Sequence, residues 1–326
     1  MRYLVTLTPL EPYLFGGENT YGKLGDEIHG TYLVKSRQFP QQSAILGMLK
    51  KEIMTQNSML TRKVRGEWVD MQNKNKASSL VGIEKFDIFS NTLQDFGAIK
   101  TISPVFLIQD FKRYIKKVDS DSFPFKNGVL TNGYSSKKEQ ELYDNFISLD
   151  EDKKLSSNDI FEKVVKIGNK IGGEDNSLFK KTSYKLKDNF KFAFYLECDY
   201  KLVDSIVTLG ADRSSFRLEP KEDNCTFDYM DGNGYLTLLS DSYITVSLEG
   251  NCDFAITSEI SYQNLTNKKG VQKGKFTTKN SFTKSDKVYL YEKGSVIINP
   301  SQALLDNLNN QNLQQIGYNI YTQGKK

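Results

Sequence analysis

Alternating apolar and polar residues predict β-strands at both ends of the first 200 residues. Tyr3, Val5 and Leu7 fall on one side of residues 3–8, and this period of two is typical of a half-buried strand. Pro9 and Pro12 end it, because proline cannot donate to a ladder. The same alternation returns later in the chain, with the apolar positions Phe190, Phe192, Phe194, Leu196 and Cys198.

Helical spacing follows the first strand. Ile45, Leu46, Leu49 and Ile53 recur with the helical period and predict a helix that begins near Ser43, a favourable N-cap type. A glycine-rich loop is expected over 16–30. Further helices are predicted around 139–147, 202–209 and 300–308. Further strands are predicted over 102–108, 213–218, 243–248, 287–291, 295–298 and 316–320.

Two long polar stretches, 57–98 and 110–160, interrupt this pattern and are expected to be insertions. Strands separated by one helix recur in both halves, which predicts an α+β fold of two ferredoxin-like (RRM-like) modules with long insertions. The N-terminal module, with both insertions, takes residues 1–200, and the C-terminal module takes residues 201–326.

Composition narrows the cellular setting. A chain of 326 residues suggests about two domains. No apolar run is long enough to span a membrane, and no secretion-signal pattern opens the chain. Cys198, Cys225 and Cys252 are too far apart for a CxxC site. We therefore expect reduced thiols, a cytoplasmic protein and no membrane partner.

The single histidine, His29, limits the chemistry. Histidine is the commonest general acid or base and a leading metal ligand, so one histidine without a cysteine pair argues against the usual zinc sites. No phosphate-cradling glycine motif opens a helix. We expect no cofactor, no metal site and no catalytic residue. A net charge of +4 permits RNA as a partner and proves nothing.

Two arginines next to a glycine turn form the first candidate site. In a strand over 213–218, Arg213, Ser215 and Arg217 point away from the apolar positions 216 and 218. With Gly210 in the preceding turn and serines between the arginines, a phosphate has room to approach. We assign these four residues to RNA binding; a solvated strand face is the alternative.

Polar residues at the entry to the first helix form a second candidate. Arg37, Gln41, Gln42 and Ser43 lie where free backbone amides favour an anion, although they could equally cap and solvate the helix.

A run of lysines forms the third candidate. Lys273 and Lys275 belong to the stretch 268–287, whose only acidic residue is Asp286. We assign both lysines to RNA binding. The run is either an arm along nucleic acid or an acidic neighbour, or a solvated hairpin.

Short segments spread in order over nearly the whole chain carry a resemblance. They are residues 8–17, 39–49, 179–186, 192–196, 209–217 and 294–296, with Gly317. Together they resemble the RAMP-superfamily subunit that caps the 5′ end of crRNA in type III-B (Cmr-type) CRISPR complexes. That family has two glycines where this chain has Gly210 and Ala211.

The resemblance implies a function. It implies two fused RRM-like modules that bind the repeat-derived 5′ tag of crRNA. It also implies docking against the large polymerase-like subunit and the backbone RAMP subunits, without nuclease activity. We therefore expect a non-catalytic RNA-binding subunit that links the large subunit to the backbone.

Three alternatives stay open. One is the equivalent subunit of a type III-A complex, which the opening segment and the entry to the first helix argue against. Another is a metal-independent endoribonuclease that processes crRNA, for which His29 is the one histidine available as a general base. The third is a polar, β-rich scaffold that binds no nucleic acid.

Overall fold

The computed structural model describes residues 1–16, 19–24, 27–59, 63–64, 67–68, 71–118, 125–126, 129–130, 143–170, 177–187, 189–225, 227, 235–263, 265–268 and 281–323. Its helices are α1 (Gln42–Gln56), α2 (Met71–Val81), α3 (Ser157–Ile160), α4 (Gln302–Leu308) and α5 (Gln311–Gln315). Among these described helices, none has the length and apolar character that crossing a membrane requires.

Strands dominate the described chain. They are β1 (Arg2–Pro9), β2 (Asn19–Leu24), β3 (Glu27–Lys35), β4 (Lys63–Val64), β5 (Glu67–Trp68), β6 (Ile99–Ile102), β7 (Phe106–Gln109), β8 (Lys112–Lys116), β9 (Phe125–Lys126), β10 (Val129–Leu130), β11 (Asn145–Ser148), β12 (Lys154–Ser156), β13 (Phe161–Lys170), β14 (Ser177–Leu186), β15 (Lys191–Cys198), β16 (Ser205–Leu209), β17 (Ser214–Glu222), β18 (Leu236–Leu238), β19 (Phe254–Ile256), β20 (Glu259–Tyr262), β21 (Leu265–Lys268), β22 (Ser281–Lys284), β23 (Val288–Tyr291), β24 (Val296–Ile298) and β25 (Tyr321–Gln323).

The largest sheet is antiparallel. Its strand order is β12-β11-β8-β7-β15-β1-β17-β16, and β6 also pairs with β15. The predicted alternation of the first strand is confirmed, because Tyr3, Val5 and Leu7 are at most 2% exposed. The single strand expected over 102–108 is instead two short strands on β15, broken around Pro104, which has no backbone donor for the ladder.

Helix α1 covers one face of this sheet, which we call the inner face. Ile45, Leu49 and Ile53 are fully buried in one cluster with Val5 and Phe216, so the predicted helical stripe is confirmed. The N-cap is Gln41 rather than Ser43, and it makes no side-chain capping bond.

The opposite face, which we call the outer face, is covered over part of its width. Phe106 and Ala193 pack there with Leu239 and Ile320 from the C-terminal half. Towards β16 the outer face is open, and Ile206 of β16 is 69% exposed.

A second sheet has the order β13-β14-β3-β2, with β3 and β14 parallel. Its hairpin β2–β3 corrects the loop expected over 16–30. Gly22 and Gly30 lie within strands, and the register shifts between Gly22 and Leu24, as glycines at β-bulges allow.

Two predicted helices are strands. Residues 205–209 form β16, in which Val207 and Leu209 turn to the core; a short apolar run does not by itself distinguish helix from strand. Residues 139–142 lie outside the described residues, and β11 follows them, with Phe146 buried against the core. Strands β8, β11 and β12 therefore extend the main sheet within the expected insertion 110–160.

Helix α2 lies within the expected insertion 57–98, and the insertion itself stays a prediction. Two other expectations are corrected. Residues 243–248 form no strand, because the amides of Tyr243 and Thr245 donate to the side chains of Asn319 and Asn307. Residues 316–320 follow helix α5 as a turn, and the strand begins only at Tyr321.

The α+β class is confirmed. Strands β15 and β16 flank residue 200 and lie in the same sheet. The division into two ferredoxin-like modules, 1–200 and 201–326, stays a prediction.

Candidate functional site

A tight turn follows β16, and the N-terminal segment 10–15 lies against it. Gly210 has φ +91°, and a Cβ there would lie 2.4 Å from the carbonyl oxygen of Leu14, so this approach requires glycine. The same oxygen accepts a hydrogen bond from the amide of Ala211 at 2.9 Å. Alanine therefore serves at 211, where the resembled family has its second glycine, because Ala211 contacts Leu14 through its backbone amide.

Arg213 completes this turn and is exposed. Its φ is +55°, and its amide donates to the carbonyl of Gly210 at 3.2 Å. The prediction that Arg213 belongs to the strand is wrong, since β17 begins one residue later. Ser215, inside the strand, donates its amide to Glu11 Oε1 at 2.8 Å, which ties the segment 10–15 to β17.

Arg217 lies on the outer face with its side chain exposed. Its strand neighbours are Thr8 of β1 and Ile206 of β16. Phe216 and Leu218 are fully buried on the inner face. The predicted orientation of Arg217 is confirmed; its contact with RNA stays a prediction.

Two lysines that the sequence did not single out lie beside the turn. Lys166 and Lys181 are directly opposite on β13 and β14, a destabilising arrangement for like charges. Lys181 forms an ion pair with Asp212 in the turn. Burial, and then the ammonium of Lys166, lower the pKa of Lys181. Asp212 neutralises Lys181, and the neighbouring Lys166 leaves positive charge that an anion can neutralise.

Arg37 is joined to this region through its backbone. Its amide donates to the carbonyl of Phe15 at 3.1 Å, one residue beyond Leu14. Its side chain bonds the carbonyl and hydroxyl oxygens of Ser261 through Nη2. Its enclosed Nη1 has no acceptor among the described residues. Arg37 therefore ties the N-terminal segment to β20.

The start of α1 is closed by protein atoms. Gln42 is 4% exposed, and its Nε2 donates to the carbonyls of Ser103 at 2.8 Å and Gly317 at 3.1 Å. The amide of Ser43 donates to the hydroxyl of Tyr318 at 3.3 Å. The carbonyl of Gln41 accepts the first helical bonds. In this arrangement a phosphate at these residues would have to displace the C-terminal segment.

A buried lysine reinforces this closure. The ammonium of Lys293 lies 4.1 Å from the ring centroid of Phe39, just ahead of α1, and donates to the carbonyl of Val105 at 3.2 Å. Burial lowers the pKa of Lys293. The C-terminal half thus contributes a lysine side chain to the interior of the molecule.

The remaining candidate residues add no contact to this site within the described part of the chain. Lys273 and Lys275 lie outside the described residues. His29 belongs to β3. Within the described ranges, no group of three or more His, Cys, Asp or Glu residues is arranged to hold a metal ion.

Comparison with known proteins shows similarity in fold. A chain in a cryo-EM structure of the type III-B Cmr-beta bound to cognate target RNA and AMPPnP has a TM-score of 0.54 and 17% identity, over 98% of this chain and 95% of that chain. A second structure, of the type III-B Cmr-beta bound to cognate target RNA, gives 0.53 and 16%, over 98% and 96%. At these identities the likeness concerns the fold alone.

Another solved structure is less similar in fold. A chain in a crystal structure of the Csm1-Csm4 cassette in complex with pppApA has a TM-score of 0.36 and 10% identity, over 92% of this chain and 88% of that chain. No protein-family model and no curated protein matches the sequence.

Proposed function

We propose that this chain is a non-catalytic RNA-binding subunit of a type III CRISPR effector complex, of type III-B, in the cytoplasm. It holds the repeat-derived 5′ tag of crRNA and links the large polymerase-like subunit to the backbone RAMP subunits. The observation that carries the proposal is the open end of the main sheet. There the glycine turn closes on the segment 10–15 and leaves Arg213 and Arg217 exposed.

The fold supports the assignment to this class. The match to a chain in the structure of the type III-B Cmr-beta bound to cognate target RNA covers 98% of this chain, with a TM-score of 0.54. The segments that resemble the crRNA-capping subunit include both partners of the close contact, residues 8–17 and 209–217. The structure brings these two segments together at Leu14 and Gly210.

The chemistry of the site suits a phosphate backbone. Arg213 and Arg217 offer guanidinium groups to phosphate oxygens, and Lys166 and Lys181 add positive charge beside the turn. Contacts of this kind position a strand without reading its sequence. In this role the protein supplies no reacting group, and cleavage and synthesis belong to other subunits.

The test is to purify the complex from its host and to sequence the RNA bound to it. We expect nucleic-acid absorbance and bound RNAs that share one repeat-derived 5′ end. The co-purified subunits then distinguish type III-B from type III-A. A complex without RNA would favour the scaffold alternative. Processing of crRNA by the chain that is lost in His29→Ala would favour the endoribonuclease.

A further inference from the structure

The hairpin between β7 and β8 exposes an aromatic ring. Gln109 pairs with Lys112, so Asp110 and Phe111 form a two-residue turn, with φ +48° and +66°. Two positive φ values are the pattern of a type I′ turn, for which Asn-Gly is preferred. Phe111 is 89% exposed. A bulky side chain is unfavourable in this backbone region. Because the ring of Phe111 is exposed, no burial within this chain offsets that cost.

The hairpin is braced from one side. The guanidinium of Arg113 donates to Asp150 at 2.7 Å through Nη2, and its amide donates to the same carboxylate at 2.6 Å. Lys112 forms an ion pair with Glu151. These contacts join the turn that carries Phe111 to the turn between β11 and β12, residues 149–153.

Charge at this tip differs from charge at the glycine turn. Residues 110–113 and 149–153 contain four acidic and three basic side chains: Asp110, Asp150, Glu151 and Asp152, with Lys112, Arg113 and Lys153. Lys112 and Arg113 are both neutralised by carboxylates. The surroundings of Phe111 therefore offer no surplus positive charge to a phosphate backbone.

We propose that Phe111 is the anchor through which this chain docks on a protein partner, its ring entering an apolar pocket with a basic rim. A few residues in desolvated pockets, aromatic ones prominent among them, carry most of the binding energy of many protein interfaces. The basic rim is inferred from the acidic residues of the two turns, which outnumber the basic ones. The inference rests on the proposed function in one respect: the partner is a protein subunit of the same effector complex.

The first test replaces the ring and keeps the backbone preference. Phe111→Asn should reduce recovery of one protein subunit at least tenfold when all subunits are co-expressed with crRNA and purified through a tag on this chain. The melting temperature of the purified chain should stay the same or rise by about 1–3 °C, because Asn accepts left-handed φ. Ile83→Asn, at another residue 76% exposed, is the control and should assemble normally.

The second test locates the contact. A photo-crosslinking benzoylphenylalanine at position 111 in the assembled complex should link to a protein subunit, and the same group at position 83 should not. A crosslink to RNA, or normal assembly of Phe111→Asn, overturns the docking inference and leaves the proposed function standing. A wild-type chain that joins no type III subunit contradicts both.

Discussion

The start of α1 and the turn after β16 both place polar residues and backbone amides beside a close glycine contact, yet they differ in whether the polar side chains are enclosed. At the start of α1 the side chain of Gln42 is enclosed by the protein, and a Cβ on Gly317 would lie 2.0 Å from its Nε2. The C-terminal segment fills the space in which a phosphate was expected.

At the turn after β16 the glycine admits the N-terminal segment, and the charged groups stay outside. Leu14 approaches Gly210, while Arg213 and Arg217 remain exposed. A glycine in a polar motif therefore marks a close backbone approach, and the identity of the approaching group has to come from the fold.

The largest expected effect tests the closed region. Gly317→Ala should lower the free energy of unfolding by roughly 3–5 kcal/mol, because strained φ adds to a clash with Gln42 and two carbonyls. Urea unfolding measures it. Gly250→Ala is the matched control, since Gly250 also has positive φ, at +77°, and nothing within 4 Å of a Cβ. It should cost about 1 kcal/mol. Equal losses of unfolding free energy in the two variants would contradict the close packing of the C-terminal segment against the start of α1.

Removing the buried side-chain amide of Gln42 tests whether this residue stabilises the fold or binds RNA. Gln42→Ala leaves the carbonyls of Ser103 and Gly317 without their donor, so we expect a loss of about 2 kcal/mol in unfolding free energy. The affinity of the assembled complex for RNA should not change. Gln72→Ala, on an exposed residue of α2, should alter neither. A reduced RNA affinity in Gln42→Ala, with normal assembly, would mean that α1 also contacts phosphate.

The buried side chain of Lys293 predicts a smaller, pH-dependent effect on stability. Because the pKa of Lys293 is lowered from 10.5 in the folded chain, the unfolded chain binds more protons between the two values, and stability rises with pH over that window. Lys293→Met should stabilise by about 1 kcal/mol at neutral pH, and its advantage should shrink towards pH 10.5. Lys201→Met, on an exposed residue, should show no such trend in urea midpoints.

Periodicity predicted the elements that bury one face. The apolar stripe of α1 and the alternation of β1, β15 and β17 could be predicted from the sequence because one side of each element is apolar. It failed at 202–209, where five apolar positions among eight residues fit either class, and pairing with β17 decides for the strand.

Part of the candidate site could be predicted for the same reason. The alternation of β17 predicts that Arg217 is exposed, and the turn after β16 predicts the position of Gly210. Lys166 and Lys181 could not be foreseen, because only the register of β13 on β14 places them beside Asp212. The burial of Gln42 could not be foreseen either, since Gly317 follows it by 275 residues.

The most direct measurement is binding of 5′-tag RNA by the assembled complex across a salt series, with Arg213 and Arg217 both replaced by Ala. If each guanidinium neutralises one phosphate, the slope of log K against log salt should fall by about 1.4. Affinity at moderate salt should drop by about 1–3 kcal/mol, and similarly for RNAs of other sequence. Arg2→Ala, on an exposed arginine opposite Glu197, should leave the slope unchanged. An unchanged slope and affinity in the double variant, with normal assembly, would contradict the account and leave both arginines as a solvated face.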